Sequence, residues 1–371
     1  MDVIVVGAGP CGILASIRMK ELHSDYNVIL VEKCDSIGKR IKQSGNGRCN
    51  FLNDNFSPSK YNHPEFIIGY DDELNILKHY LNKKGLYYYS DEEGRNYPYS
   101  ENGNTILYIL KELLNEYHVD VRTGFEVNRI VKENGKYSII SKDEKILKGD
   151  KLVLSIGGAS FNYKKDDYER IIRSVTNEII DFKPSLAPII TSSFSKSLEG
   201  KRVKANVKLL YKDRVLKEEK GEVLFKKDGL SGIVIFNMSS YLARLHLDSY
   251  NGYQIILDML PYLSIEEVLW YKKKDPSLRN LLIEEIALEI NRRKCSPKAF
   301  ALDVIDLYDL KNSQVSSGGV SLKALNDDLS LIKDNNIYLG GETIDIDGEC
   351  GGYNIEFALL SGIRIGSNIW K

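Results

Sequence analysis

Val3-Ile4-Val5-Val6-Gly7-Ala8-Gly9-Pro10-Cys11-Gly12 opens the chain, and its reading decides the fold. Four apolar residues form a short run of buried-strand type. A glycine turn follows at once, and then a helical pattern of Ile13, Leu14, Ile17, Met19 and Leu22. A second apolar run, Val28-Ile29-Leu30-Val31, ends in Glu32, 20 residues past Gly12. Strand, glycine turn, helix, strand and acid in that order make the dinucleotide fingerprint G-x-G-x-x-G in its full context. Gly7 allows the tight turn, Gly9 lets a pyrophosphate approach the backbone, and Gly12 lets the helix pack close to the strand. The start of the helix offers unpaired N–H groups and a partial positive charge to the phosphates. Glu32 can accept hydrogen bonds from both ribose hydroxyls.

The next loop, Ser36 to Asn50, holds three glycines and the cations Lys39, Arg40, Lys42 and Arg48. Consecutive amides in Ser44-Gly45-Asn46-Gly47-Arg48-Cys49-Asn50 make an anion-binding concavity. The loop therefore reads as a second surface facing phosphate and ring. Helices are expected near Asp71–Lys84 and Asn104–Tyr117. Strands are expected at 119–122 and 127–131, with a hairpin arm at 137–148. The buried strand Lys151–Ile156 runs into Gly157-Gly158, again a close backbone approach to a ligand.

From Pro184 the character changes. Segments 186–193, 203–211, 214–225 and 252–260 alternate or favour β-branched residues, which predicts a small antiparallel barrel or sheet. Helices are expected within 232–247, at 264–274 and over Pro276–Lys294, the last with Pro276 in its first turn and Leu278, Leu281, Leu282, Ile286 and Ile290 on one face. The end of the chain returns to the opening pattern: strand Asn336–Leu339, Gly340-Gly341-Glu342, a second glycine turn through Gly351-Gly352-Tyr353-Asn354, and a helix to Ile369. A nucleotide domain whose last strand and helix come from the far end is an interrupted domain. The expected boundaries are 1–183 for its first part, 184–262 for an inserted β-barrel, 263–312 for a small helical domain and 313–371 for the return.

That return separates FAD from NAD. A strand–Gly-Gly-Glu turn and a second glycine turn into a helix suit the extended flavin dinucleotide, with Glu342 or Asp345 on the ribityl chain. The partial positive charge of the last helix start would stabilise the reduced ring. No second G-x-G-x-x-G appears. NAD(P)H, if it is the reductant, must dock at the flavin without a Rossmann domain of its own; otherwise the substrate donates electrons and dioxygen accepts them.

Composition sets the outer limits. With 371 residues, two or three domains are expected, and 43% hydrophobic and 28% charged residues fit a globular chain with a real core. No apolar run reaches the roughly 18–20 residues that cross a bilayer. No basic stretch precedes the first strand, so a signal peptide is not expected and a cytoplasmic location is the default. The five cysteines are scattered without C-x-x-C pairs, and the five histidines show no metal spacing. Residues 190–300 carry a net +6 and the rest of the chain −7. The basic stretch is either ordinary solvated surface or a face for an anionic partner such as RNA, with Lys272–Lys274 and Arg292–Lys294 the first candidate contacts.

These motifs resemble the aminoacetone-oxidase-like, or BaiN/RdsA, flavoproteins of bacteria and archaea. The carrying runs are Gly7–Gly12, Ser44–Asn50, Ile156-Gly157-Gly158, Gly229-Leu230-Ser231-Gly232, Ser317-Gly318-Gly319-Val320, and Gly340 through Asn354. Two departures stand out: Asn46 where relatives have glycine, and Ser155-Ile156 where Ala-Thr is usual. The resemblance implies a Rossmann-like α/β FAD domain interrupted by a β-barrel and a small helical domain, which form a lid over the ring. It implies FAD contacts at Gly7, Ala8, Gly9, Pro10, Cys11, Gly12, Glu32, Lys33, Arg40, Ser44, Gly45, Asn46, Gly47, Arg48, Cys49, Asn50, Val127, Gly157, Gly158, Gly341, Glu342, Asp345, Gly351, Gly352, Tyr353 and Asn354. It also implies NAD(P)H-driven reduction of conjugated C=C bonds, in steroid enones or a uracil of ribosomal RNA, or else amine oxidation. A flavin-containing RNA-binding protein with little catalysis is the reading from another class. No residue is assigned as the catalytic acid. Cys49, Cys350 and Tyr353 are candidates for proton transfer beside the ring, each weighed against simple packing.

Overall fold

The computed structural model describes residues 1–160 and 165–370, with the backbone only at Lys165. The chain divides into two compact units, Met1–Phe182 with Ser317–Lys371, and Lys183–Ser316.

The first unit is built on a six-stranded sheet. Its order is Ser330–Leu331, Asp334–Leu339, Lys151–Leu154, Asp2–Val6, Asn27–Val31 and Asp120–Arg122. All neighbours are parallel except the first pair. The C-terminal strand lies beside Lys151–Leu154, with Leu152 opposite Ile337 and Leu154 opposite Leu339. Val3, Ile4, Val5, Leu30, Val31, Leu152, Val153 and Leu339 are wholly buried. Sheets covered on both faces read as continuous apolar runs, which is why these strands were legible.

The opening helix, Pro10–Leu22, buries residues around most of its circumference. The closing helix, Tyr353–Asn368, covers it along a seam of small residues. A Cβ on Gly362 would stand 2.2 Å from the Cys11 carbonyl oxygen, and one on Gly366 would stand 2.7 Å from that of Ala15. The two ends of the chain therefore pack backbone against backbone.

Arg364 ties the closing helix to the helix Asp71–Lys83. Its Nε donates to Glu73 Oε1 at 2.8 Å, its Nη2 donates to the Gly69 carbonyl at 2.5 Å, and its guanidinium lies 3.4 Å over the Tyr70 ring. Arg364→Met leaves a mostly buried Glu73 carboxylate without its cation. We expect a stability loss of about 2 kcal/mol by denaturant titration, largely recovered in the Glu73→Gln/Arg364→Met double variant.

The second unit holds a closed barrel in the order Ile189–Thr191, Gly229–Ser231, Arg214–Phe225, Arg202–Tyr211, Tyr253–Asp258 and Phe300–Leu307. The last strand returns antiparallel to the first. Two of these strands, Gly229–Ser231 and Phe300–Leu307, were not expected. The first is three residues long and carries the Gly-Leu-Ser motif. The second alternates buried Phe300, Leu302 and Val304 with exposed neighbours, a period-two signal that the sequence does contain. The helix expected over Pro276–Lys294 is shorter, at Glu284–Arg293. Leu278 sits at φ 62°, outside the right-handed helix region, and the Asp275 carboxylate captures the amides of Ser277 and Asn280 into a turn. Leu278, Leu282, Ile286 and Ile290 share one apolar cluster with Val207, Phe225 and Phe300 of the barrel.

No helix among the described residues is long and apolar enough to cross a membrane.

Candidate functional site

The opening glycine turn is locked from below. Gly7 has φ 100°, and a Cβ there would stand 2.3 Å from the Ser155 carbonyl oxygen. Ser155 Oγ donates to the carbonyls of Gly7 at 2.8 Å and Val6 at 3.1 Å. A Cβ on Gly12 would lie 2.0 Å from the Gly7 oxygen. So Ser155 takes part in holding the turn. Gly9 is different. It is extended, at φ −81° and ψ −176°, and a Cβ on it would meet nothing within 4 Å. A Cβ on Gly157 would also meet nothing within 4 Å, although its φ is 80°, and its amide donates to Thr343 Oγ1 at 3.1 Å. Both glycines border open space at the mouth of the sheet.

Glu32 is already oriented. Its two carboxylate oxygens accept the amides of Ala8 and Cys34, each at 2.9 Å, and each keeps a further lone pair for a hydroxyl. Lys33 is exposed and Val127 is buried at the head of its strand. Arg40 reaches the Ser160 side chain and carbonyl at 3.2 and 2.5 Å. Burial pulls its pKa down, and the nearby Glu342 carboxylate opposes that.

In the second loop Gly45, Asn46, Gly47 and Cys49 all have positive φ. Asn46 takes φ 55° and ψ 36°, the left-handed region that asparagine tolerates best after glycine. Arg48 turns away to Glu101 and Tyr89, at 2.8 and 2.9 Å, and lies 4.2 Å over the Tyr97 ring. It acts there as a structural cation. Burial pushes the Cys49 thiol up to about 11 and the Cys11 thiol up to about 12. Both are protonated at neutral pH. Cys11 lies beneath Gly340 and Gly341, where any larger neighbour would clash.

The closing turn is stitched to the segment after Asn50. Asn53 donates to the Gly351 carbonyl at 2.8 Å, and the Tyr61 hydroxyl donates to the Tyr353 carbonyl at 2.9 Å. The Asn354 side chain both accepts from and donates to Gly348, at 2.8 and 2.9 Å. Tyr353 is buried against the Tyr61 ring, and burial raises its hydroxyl to about 12. Asp345 is also buried. It accepts from the Gly318 amide at 2.9 Å and from Asn62 at 3.3 Å, and it pairs with His63 at 3.1 Å. That contact raises the His63 pKa. Gly7–Gly12, Ser44–Asn50 and Gly351–Asn354 thus belong to one compact unit.

Two buried atoms of the second loop, Arg48 Nε and Asn50 Oδ1, have no hydrogen-bond partner among the described residues. Asn50 Oδ1 is enclosed and accepts no hydrogen bond, and it lies 2.5 Å from where a Gly352 Cβ would be. Such an acceptor costs free energy unless something donates to it.

The family model described as the HI0933-like protein Rossmann domain matches residues 1–368. The chain belongs to the HI0933-like family. It is 28% identical to the 3-dehydro-bile acid delta(4,6)-reductase of Clostridium scindens, covering 98% of this chain and 97% of that one. It is 22% identical to a ribosomal RNA dihydrouridine synthase of Haemophilus influenzae, over 96% of each chain. Among solved structures, the 3-ketosteroid delta1-dehydrogenase of Sterolibacterium denitrificans superposes with a TM-score of 0.55, 13% identity and 99% coverage of both chains, a likeness of fold. With the Rossmann-like fold and its closed barrel, this identifies an FAD-dependent oxidoreductase.

The residues present fit the cofactor. Gly9 and Gly157 leave room for a dinucleotide backbone, Glu32 keeps ribose-facing lone pairs, and Asn50 Oδ1 awaits a donor. Sequence reasoning missed His63, Asn53, Tyr61 and Glu356. The first three come from a polar stretch with no periodic signal. Glu356 did carry one: it is the lone acid in the apolar run Ile355–Leu360.

Proposed function

We propose that this oxidoreductase uses NAD(P)H to reduce a carbon–carbon double bond conjugated to a carbonyl. The observation that carries the reading is the end-to-end likeness to the Clostridium scindens reductase. FAD, when bound, supplies the hydride chemistry between nicotinamide and double bond. In this reading the chain's own residues hold and polarise the group. Gly7, Ala8, Gly9, Pro10, Cys11 and Gly12 receive the pyrophosphate at the opening helix start, and Glu32 takes the ribose. Arg40 and the Ser44–Asn50 loop line the middle of the cofactor. Gly341, Glu342 and Asp345 stand by the ribityl chain, and Gly351–Asn354 present the positive end of the closing helix to the ring, where negative charge gathers on reduction.

A second reading, a base in RNA as substrate, is favoured by the ribosomal RNA dihydrouridine synthases of Haemophilus influenzae and Escherichia coli, 22% and 24% identical to this chain. A uracil C5=C6 and a steroid enone pose the same electronic problem. The basic middle third argues less for RNA than its net charge implies. Arg202 pairs with Glu222, Lys201 with Glu285, Arg292 and Arg293 with Glu289, and Lys298 with Asp258. Lys272, Lys273 and Lys274 stand exposed at the end of their helix.

The test is an anaerobic reduction screen of the FAD-loaded protein. We expect the visible flavin band to bleach with NADPH or NADH but not with aminoketones, and to return on addition of a conjugated enone or a uracil-containing RNA. Bleaching by amines alone, with peroxide on admission of air, would replace this proposal with an amine oxidase.

A further inference from the structure

Glu356 lies one turn into the closing helix and is 0% exposed. No hydrogen bond of ordinary geometry reaches either of its carboxyl oxygens, and the Asn53 amide acts on them only weakly beside the effect of burial. The groups around it come from three elements. The Asn53 backbone ends the short strand Leu52–Asn53 and Asp54 follows it, Lys78 is on the helix Asp71–Lys83, and Tyr353 precedes Glu356 on its own helix. The buried Tyr61 hydroxyl also feels its charge. Lys78 and the Asn53 amide favour the ionised acid; Asp54 opposes it, and burial opposes it most. A carboxylate fully removed from water without a bonded partner does not stay charged; it takes up a proton. The same turn of helix carries Gly352 and Tyr353, and Asn50 Oδ1 faces its start.

We propose that Glu356 is the proton-binding group of the cofactor site, neutral in the resting protein, and that loss of its proton puts a negative charge inside the helix start that holds FAD and weakens that hold. The coupling half of this inference rests on the FAD reading above. The step is a simple ionisation: the carboxylic acid O–H breaks, the electron pair stays on the carboxylate, and the proton goes to solvent. By linkage, FAD binding in turn tightens the proton on Glu356. Burial raises its pKa to about 8, which puts the change just above neutrality.

Two measurements test it. The first uses the apoprotein. Because the folded state binds the proton more tightly than the unfolded chain, stability is present at low pH and is lost as pH rises from the ordinary carboxylate range, about 4.3, toward the folded value. Denaturant unfolding of wild type and Glu356→Gln is compared from about pH 5 to 9. The ratio of their unfolding constants should rise about tenfold per pH unit up to about pH 7.5 and level off above 8. Glu356→Met serves as a second neutral variant should Gln fold poorly. A flat ratio in both overturns the proton assignment.

The second is FAD titration across the same range. Wild-type affinity should fall above about pH 8, by up to about tenfold per pH unit, while Glu356→Gln keeps its neutral-pH value. Equal falls in both proteins overturn the coupling. Neither protein taking up FAD at pH 7 sinks the cofactor reading and the coupling with it. A flat unfolding ratio with FAD still bound sinks the Glu356 assignment alone.

Discussion

Gly9→Val should yield a folded apoprotein that no longer takes up FAD. The backbone at Gly9 is extended, a conformation valine favours, and beyond its own chain neighbours no described residue lies within 4 Å of the new Cβ. Only a ligand approaching the turn would meet the side chain. We expect the thermal midpoint of the apoprotein to move by no more than about 2 °C, within the small effects of substitutions that touch nothing. FAD affinity should fall by about 100-fold or more, roughly 2.7 kcal/mol, by fluorescence titration. Gly12→Ala is the contrast. Its Cβ would stand 2.0 Å from the Gly7 oxygen and 2.5 Å from Ser155 Oγ, so folding and binding should be lost together. A Gly9→Val protein that still binds FAD with wild-type affinity would show that no phosphate approaches this turn.

Gly362→Val attacks the same site from the far end of the chain. The substituted helix would have to lift from the Cys11 carbonyl, now 2.2 Å from the added carbon, and the seam through Gly366 would open with it. Overpacking against backbone cannot be relieved by a rotamer change. We expect a loss of roughly 3 kcal/mol or more in denaturant unfolding. FAD content after purification should fall too, because the closing helix start shifts with its seam. Excess FAD should recover part of the midpoint by mass action, since the binding surface is displaced rather than blocked. No such recovery is expected for Gly9→Val. The two variants therefore separate a blocked site from a loosened scaffold.

Much of the fold was legible because its signals are local. The strands at 2–6, 27–31 and 151–154 carry the apolar runs Val3–Val6, Val28–Val31 and Leu152–Leu154, the strand at 334–339 ends in Ile337-Tyr338-Leu339, and the turns that follow the first, third and fourth are marked by glycine. The return of the last strand and helix to the first domain could be read from the likeness of the two glycine turns. The barrel was legible in part. Phe300–Leu307 alternates plainly, but it follows two helices and is separated from its partner Ile189–Thr191 by more than a hundred residues, so nothing nearby in the chain announces the pairing. The over-long helix at Pro276 failed for a local reason as well. The apolar spacing was helical, but the Asp275 side chain competes for the amides that a helix would need.

The sequence alone determined the glycine turn and the open helix start that the dinucleotide reading rests on, because a turn that needs glycine and a helix that needs an open N-terminus are properties of neighbouring residues. Only the tertiary structure decided which side chains are committed. Arg48 belongs to Glu101 and Tyr97, Asp345 to Gly318 and His63, and Ser155 to the Gly7 carbonyl. It also left Glu356 buried with no ion pair, where burial outweighs the pull of Lys78 and the Asn53 amide. Those outcomes depend on which distant segments come within 3 Å and on how much water they displace, and neither quantity is written in the spacing of residues along the chain.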